Sequence, residues 1–246
     1  MPDIRFTAKI PLTIDCPQPM EAAVRYVFEG EYESDHDAAP GVTCLDILDI
    51  GANVGSFALW AAMRWPGCTV RCYEPNPGTF AFLARNIAGR PQISATNAAV
   101  FPNSKPREQF FARYDGDGEA GLVSYATDTF REKAVIGTFE VDVVAPASLG
   151  SADIVKLDCE GAEAAILEHL DLSKTQLVLA EFQNRKNRAT MQTVLARDFE
   201  AVLDEECPWD PILDYLDYRA DLKGDVYGRM FYRRRGASRI VHRPPS

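Results

Sequence analysis

The 246-residue chain is short of several features that would each point to a class of protein. No apolar run approaches the roughly 18–20 residues that span a bilayer. The opening Met1-Pro2-Asp3-Ile4-Arg5 carries no apolar signal core. A membrane partner and secretion are therefore not expected, and a cytoplasmic location is. None of the six cysteines (Cys16, Cys44, Cys68, Cys72, Cys159, Cys207) forms a C-x-x-C pair, and no second Cys or His pair answers Cys68 and Cys72. That argues against a zinc ribbon or a thioredoxin-like site and for free buried thiols. Positive charge is also short, with 26 Lys plus Arg against 36 Asp plus Glu and a net charge of −10. Nucleic acid, which calls for a basic footprint, is a poor match as a partner. Repeats and low-complexity tracts are absent. What is present is ordinary apolar mass, 46 % hydrophobic residues with 25 % charged, which a disordered acidic chain would lack. The length suits one large α/β domain that needs no staples.

The charge is uneven. Residues 29–37 (EGEYESDHD) hold five acids and no base, while six arginines (Arg229, Arg233, Arg234, Arg235, Arg239, Arg243) fall in the last 18 residues. Both read first as solvated surface, with an anion-facing patch as the sharper alternative for the arginines.

Periodicity supplies the organisation. Met20, Ala23, Val24, Val27 and Phe28 make one helical stripe. From residue 44 strands and helices alternate: strands at 44–50, 69–73 and 92–99, with helices at 54–65 and from Pro77 through Ile87. The period then breaks. Around the turn Asp115-Gly116-Asp117-Gly118, the runs Gln109–Tyr114 and Thr138–Val144 read as an inserted antiparallel flap over 103–145. Alternation resumes with strands at 153–158 and 176–182 and helices at 162–170 and 186–197. Residues 199–203 and 226–234 could form a last antiparallel pair. The expected fold is α/β, a mostly parallel doubly wound sheet with right-handed crossovers, an antiparallel C-terminal strand and a β insertion. Residues 1–43 are read as a helical lead-in or lid, and 44–246 as the main domain. Such sheets bind ligands beyond the carboxyl ends of their strands.

The first strand ends in Asp49-Ile50-Gly51-Ala52-Asn53-Val54-Gly55. Gly51 permits a sharp turn and a close backbone approach, and Gly55 permits close packing at the helix start. A dinucleotide site would want G-x-G-x-x-G, and the middle glycine is missing. Glu74 closes the second strand, where a carboxylate can accept from both ribose hydroxyls. The pair describes a nucleoside without a diphosphate, and S-adenosylmethionine fits that description. Further on, Asp158 and Glu160 share one side if the fourth strand continues, with Gly161 turning into the next helix and Glu163 in its first turn. Glu181, Gln183 and Asn184 close the fifth strand. Asp158, Glu160 or Glu181 could take a proton from a substrate hydroxyl. Alternatively Asp158 and Glu181 with Gln183 or Asn184 could hold Mg²⁺ and acidify that hydroxyl directly. His36 and His169 read as solvated and helix-terminal, and His242 lies in the arginine-rich tail.

Three motifs carry a family resemblance: Asp49-Ile-Gly-Ala-Asn-Val-Gly55, Tyr73-Glu-Pro-Asn-Pro77 and Lys156-Leu-Asp-Cys-Glu-Gly-Ala-Glu163. Phe28-Glu-Gly-Glu-Tyr32 and Asn97-Ala98-Ala99 add to it. The chain resembles the FkbM-type S-adenosylmethionine-dependent methyltransferases over residues 24 to 184. The resemblance implies a Rossmann-like class I methyltransferase acting on a hydroxyl of a sugar or natural product, with a small-molecule or glycan acceptor. It puts Asp49, Gly51, Asn53 and Gly55 at the methionine half of the cofactor, Glu74 at the ribose, and Asn97 and Ala98 near adenine. Asp158 and Glu160 would face the transferred methyl. One departure is Gln183, where relatives often carry a histidine in E-x-H. Three competing functions use the same layout: an RNA methyltransferase using the arginine-rich tail, a nicotinamide-dependent oxidoreductase, and a catalytically inactive binding module.

Overall fold

The computed structural model describes residues 3–7, 11–33, 45–103, 105–112, 121–122, 137–206 and 227–237. The Asp115–Gly118 turn, His36, His242, Arg239 and Arg243 lie outside them.

A seven-stranded sheet organises the main domain. Its parallel strands are β3 (Asp46–Ile50), β4 (Thr69–Tyr73), β5 (Ile93–Thr96), β10 (Ile154–Leu157) and β11 (Leu177–Phe182). Two further strands, β12 (Phe199–Glu206) and β13 (Gly228–Arg234), complete it, with β13 inserted antiparallel between β11 and β12. The order is β12-β13-β11-β10-β3-β4-β5. From β3 the chain winds one way through β4 and β5, then the other way from β10, so the switch point lies between β3 and β10.

Strand side chains alternate between two cores. Ile47, Ile154, Leu177, Leu179 and Phe231 pack on one face with helix α2 (Ser56–Arg64) and the lead-in helix α1 (Glu21–Tyr26). Leu48, Ile50, Val155, Leu157, Val178 and Ala180 pack on the other with helices α4 (Glu163–Leu167) and α5 (Arg185–Leu195). Both faces being covered is why these strands read as apolar runs. Helix α3 (Pro77–Asn86) starts on Pro77, with Asn76 accepting from the Gly78 amide as its cap.

The insertion is a second sheet of four strands: β6 (Ala99–Val100), β7 (Arg107–Ala112), β8 (Gly121–Leu122) and β9 (Gly137–Val144), in the order β6-β9-β7-β8. The expected flap is there, but the third strand is shorter than the 92–99 run. It ends at Thr96, and Ala99 joins the other sheet, pairing with Val143. The lead-in also differs from the helical reading. An antiparallel hairpin, β1 (Asp3–Thr7) with β2 (Pro11–Asp15), precedes α1. After α1 the chain makes a wide turn over Val27–Glu31, where Gly30 takes a φ of 112°. No described helix is long and apolar enough to cross a membrane.

Candidate active site

The chain leaves β3 through a turn in which Gly51, Asn53 and Gly55 have φ of 77°, 53° and 88°. The amides of Gly51 and Ala52 both donate to the Tyr73 carbonyl at 3.0 Å, which ties the turn to β4. A Cβ on Gly51 would lie 1.7 Å from the Asp158 carbonyl oxygen, so only glycine fits. Gly55 serves packing instead, since a Cβ there would meet Leu83 Cδ1 at 2.7 Å on α3. Asn53 stands where a dinucleotide motif has its middle glycine, in a left-handed conformation that asparagine tolerates. Its amide donates to Glu74 Oε2 at 2.9 Å and so is not offered to a phosphate.

Glu74 sits at the end of β4, buried, with Oε1 accepting from the Asn76 amide at 2.8 Å and Oε2 from Asn53. Burial pushes its carboxyl up to about 7 against the pull of those amides. Asn97 acts from behind: Nδ2 donates to the Glu74 and Pro75 carbonyls at 2.8 and 3.0 Å. Neither Asn97 nor the buried Ala98 lines the cleft in front of Glu74; Ala99 and Val100 do.

Asp49 is fully buried and does not line that cleft. Its Oδ1 lies 3.5 Å from Lys156 Nζ, its cross-strand neighbour on β10. Lys156 in turn donates to the Gly51 carbonyl at 2.6 Å and lies 3.5 Å from Asp158 Oδ2. Burial disfavours the ammonium, but Asp158 and Asp49 outweigh it and hold Lys156 protonated above its usual range. The acid expected at the methionine half thus acts one layer down, anchoring the lysine that braces the turn.

Asp158 and Glu160 both line the cleft, but not as neighbours on one extended strand. β10 stops at Leu157, and the backbone turns left-handed at Glu160 (φ 53°) and Gly161 (φ 106°). Glu163 pins this loop. Its buried carboxylate accepts from the Cys159 amide at 2.7 Å, the Gly161 amide at 3.0 and 3.1 Å, and Asn187 Nδ2 at 2.9 Å.

Glu181, at the end of β11, is partly buried and hydrogen-bonded to Glu31. Burial, then the charges of Asp158, Glu31 and Glu160, push its carboxyl well above the usual range. Burial likewise pushes Glu31 up to about 7. Glu31 is held by Arg229, whose Nη1 donates to its carbonyl at 2.8 Å, and Tyr32 beside it packs on Phe57 and Phe231. Reading residues 29–37 as solvated missed Glu31; its one sequence signal was its place in Phe28-Glu-Gly-Glu-Tyr32.

Of the metal candidates Asp158, Glu181, Gln183 and Asn184, the last is already engaged by the backbone. Asn184 Oδ1 caps α5 by accepting from the Asn187 amide at 2.8 Å. Among the described residues no group of three His, Cys, Asp or Glu side chains could hold a metal ion. His169 is exposed, with Nδ1 at 2.9 Å from the Ala165 carbonyl at a helix end. The arginines of β13, and Arg235 just after it, make contacts within the protein. Arg229 also pairs with Glu205, Arg233 with Glu200, Arg234 holds the Leu172 and Thr175 carbonyls, and Arg235 holds the Phe199 and Ala196 carbonyls.

These pieces surround an open cleft with about 590 Å³ of empty space beyond the switch point. Gly51 and Asn53 of the turn after β3, Glu74, Pro75 and Thr79 from the end of β4 and the start of α3, and Asp158, Cys159 and Glu160 from the loop after β10 all line it. The insertion adds Ala99, Val100 and Phe110 as an apolar wall. Phe110 is buried against Phe139, with ring centroids 5.6 Å apart. The Thr79 hydroxyl is buried and has no hydrogen-bond partner among the described residues.

Comparison with known proteins agrees with this geometry. The model of the methyltransferase FkbM domain matches residues 49–217. "Methyltransferase 1" of Beauveria bassiana (strain ARSEF 2860) is 26 % identical over 72 % of this chain and 80 % of its own length. A 31-O-demethyl-FK506 methyltransferase of Streptomyces tacrolimicus is 25 % identical over 55 % of this chain and 64 % of its own length, so the match leaves over a third of that relative uncovered. Among solved structures, the Escherichia coli protein yhhF, assigned as a methyltransferase, superposes with a TM-score of 0.50 at 15 % identity, covering 95 % of this chain and 98 % of that one. That likeness concerns the fold, a class I Rossmann-like methyltransferase. With 49–217 matched and both glycine-turn and post-β10 motifs in place at one cleft, the chain belongs to the FkbM-domain methyltransferase family.

Proposed function

We propose that the protein transfers a methyl group from S-adenosylmethionine to a hydroxyl of a sugar or small natural product. The observation that carries this reading is Glu74. Each carboxylate oxygen accepts one backbone amide, which leaves a lone pair on each for the paired hydroxyls of a ribose. Gly51 suits the same ligand, because the bare turn lets a cofactor approach the backbone closely. Ala99, Val100 and Phe110 offer an apolar wall for a flat base. The name of the Streptomyces tacrolimicus relative, which specifies a 31-O-demethyl compound, supports an oxygen acceptor. A cytoplasmic location belongs to the same proposal; Cys16, Cys68, Cys72 and Cys159 are free thiols.

When bound, S-adenosylmethionine supplies a methyl on a sulfonium sulfur, which leaves as a neutral thioether. Asp158 accepts the proton of the acceptor hydroxyl on its carboxylate, with Lys156 bracing Oδ2. Glu160 flanks the same opening. Glu181 suits the role less well, since burial pushes its carboxyl well above the usual range. Sulfur is a good leaving group, so holding the acceptor oxygen in line supplies much of the rate. The nicotinamide alternative loses its phosphate donor to the Asn53–Glu74 bond, and the RNA alternative loses its described arginines to internal contacts.

The test pairs calorimetry with S-adenosylhomocysteine and a screen of metabolite extracts with labelled methyl donor. The expected result is tight binding and a labelled methyl ether. Asp158→Asn should cut transfer about a hundredfold or more while binding changes less than about threefold. Binding without any labelled product would favour the inactive module, and labelling of RNA alone would overturn the acceptor class.

A further inference from the structure

Thr79 lies in the first turn of α3 and lines the cleft beside Glu74 and Pro75. It is 1 % exposed, and its hydroxyl has no hydrogen-bond partner among the described residues. A buried hydroxyl without a partner costs stability, and Val would fill the same space without that cost. Ala99, Val100 and Phe110, which line the same cleft, carry no side-chain polar group that could answer it. The missing partner therefore has to come from what enters the cleft.

We propose that the Thr79 hydroxyl is a binding group for the nucleoside half of the cofactor. This rests on the S-adenosylmethionine reading above. A hydroxyl can donate and accept, so it suits both a ribose hydroxyl and the ring nitrogens or amino group of adenine. Glu74, which lines the same cleft, fixes which half of the cofactor reaches it. Thr79 thereby joins Glu74 as a second polar contact among the residues that line the cleft.

Thr79→Val makes the test, read by calorimetry with S-adenosylhomocysteine and with adenosine, and by thermal melting without ligand. The two measurements should move in opposite directions. The ligand-free variant should melt at or above the wild-type temperature, because an unsatisfied hydroxyl is gone. Affinity for both probes should fall about five- to tenfold, the worth of one hydrogen bond. Thr79→Ser should keep affinity within about twofold of wild type. Unchanged affinity for S-adenosylhomocysteine in Thr79→Val would overturn the assignment while leaving the cofactor reading intact. A lowered melting temperature together with unchanged affinity would do the same and would mean that the hydroxyl is satisfied within the protein. A wild-type protein that binds neither probe would overturn the cofactor reading and this assignment together.

Discussion

The Asp158 carbonyl oxygen stands 1.7 Å from where a Cβ on residue 51 would begin. The turn after β3 and the end of β10 are therefore in backbone contact, with Lys156 bonded to the Gly51 carbonyl beside them. Gly51→Ala must push the two strand ends apart and hold alanine at a φ of 77°. It should cost about 3 kcal/mol or more and abolish S-adenosylhomocysteine binding, measured by urea unfolding and calorimetry.

Glu74 makes cofactor affinity depend on pH. Its carboxyl titrates at about 7 in the ligand-free protein. If the ionised form binds the ribose, affinity for S-adenosylhomocysteine should fall about tenfold between pH 8 and pH 6. Glu74→Gln should bind weakly and without that slope.

The Glu31–Glu181 pair makes stability depend on pH in the opposite sense to a salt bridge. Glu31 has an ordinary value of 4.5 and is raised to about 7 when folded, so the folded chain holds its proton more tightly. Stability then falls as pH rises from 4.5 to about 7 and stays low above it. Glu31→Gln, which keeps a hydrogen-bonding group without the charge, should match wild type at pH 4.5 and melt higher at pH 8. A lower melting temperature at pH 8 would show that the two carboxyls are not in conflict.

Lys156→Met removes the cation beside a fully buried Asp49. Leaving that carboxylate unpaired should cost about 3–5 kcal/mol, and Asp49→Asn in the same chain should recover most of the loss. Denaturant unfolding of the two single variants and the double variant measures the coupling.

The parallel strands were legible because burial on both faces makes them short apolar runs; residues 69–73 are β4 as read. The place of Glu74 in the cleft was legible too, because a residue that closes a parallel strand lies at the carboxyl end of the sheet. The site's inner details were not. Asn53 and Glu160 take left-handed backbones that residue type alone does not announce. Asp49 carries the right chemistry but is spent on Lys156, a pairing set by register between strands far apart in the chain. The run 92–99 hid a change of sheet at Asn97, whose side chain bonds across to the Glu74–Pro75 backbone. Glu31 meets Glu181 only after the whole sheet has formed.

The insertion has a further consequence. Ala99 and Val100 pair with Val143 and Val144, so the chain enters and leaves it along neighbouring tracks. Ala112 and Gly137 pair as well, which closes the stretch between them a second time. The strand that supplies Phe110 to the cleft is thus held along its whole length by β9, an engineering handle through which substitutions on β9 can reshape the apolar wall without touching Gly51 or Glu74.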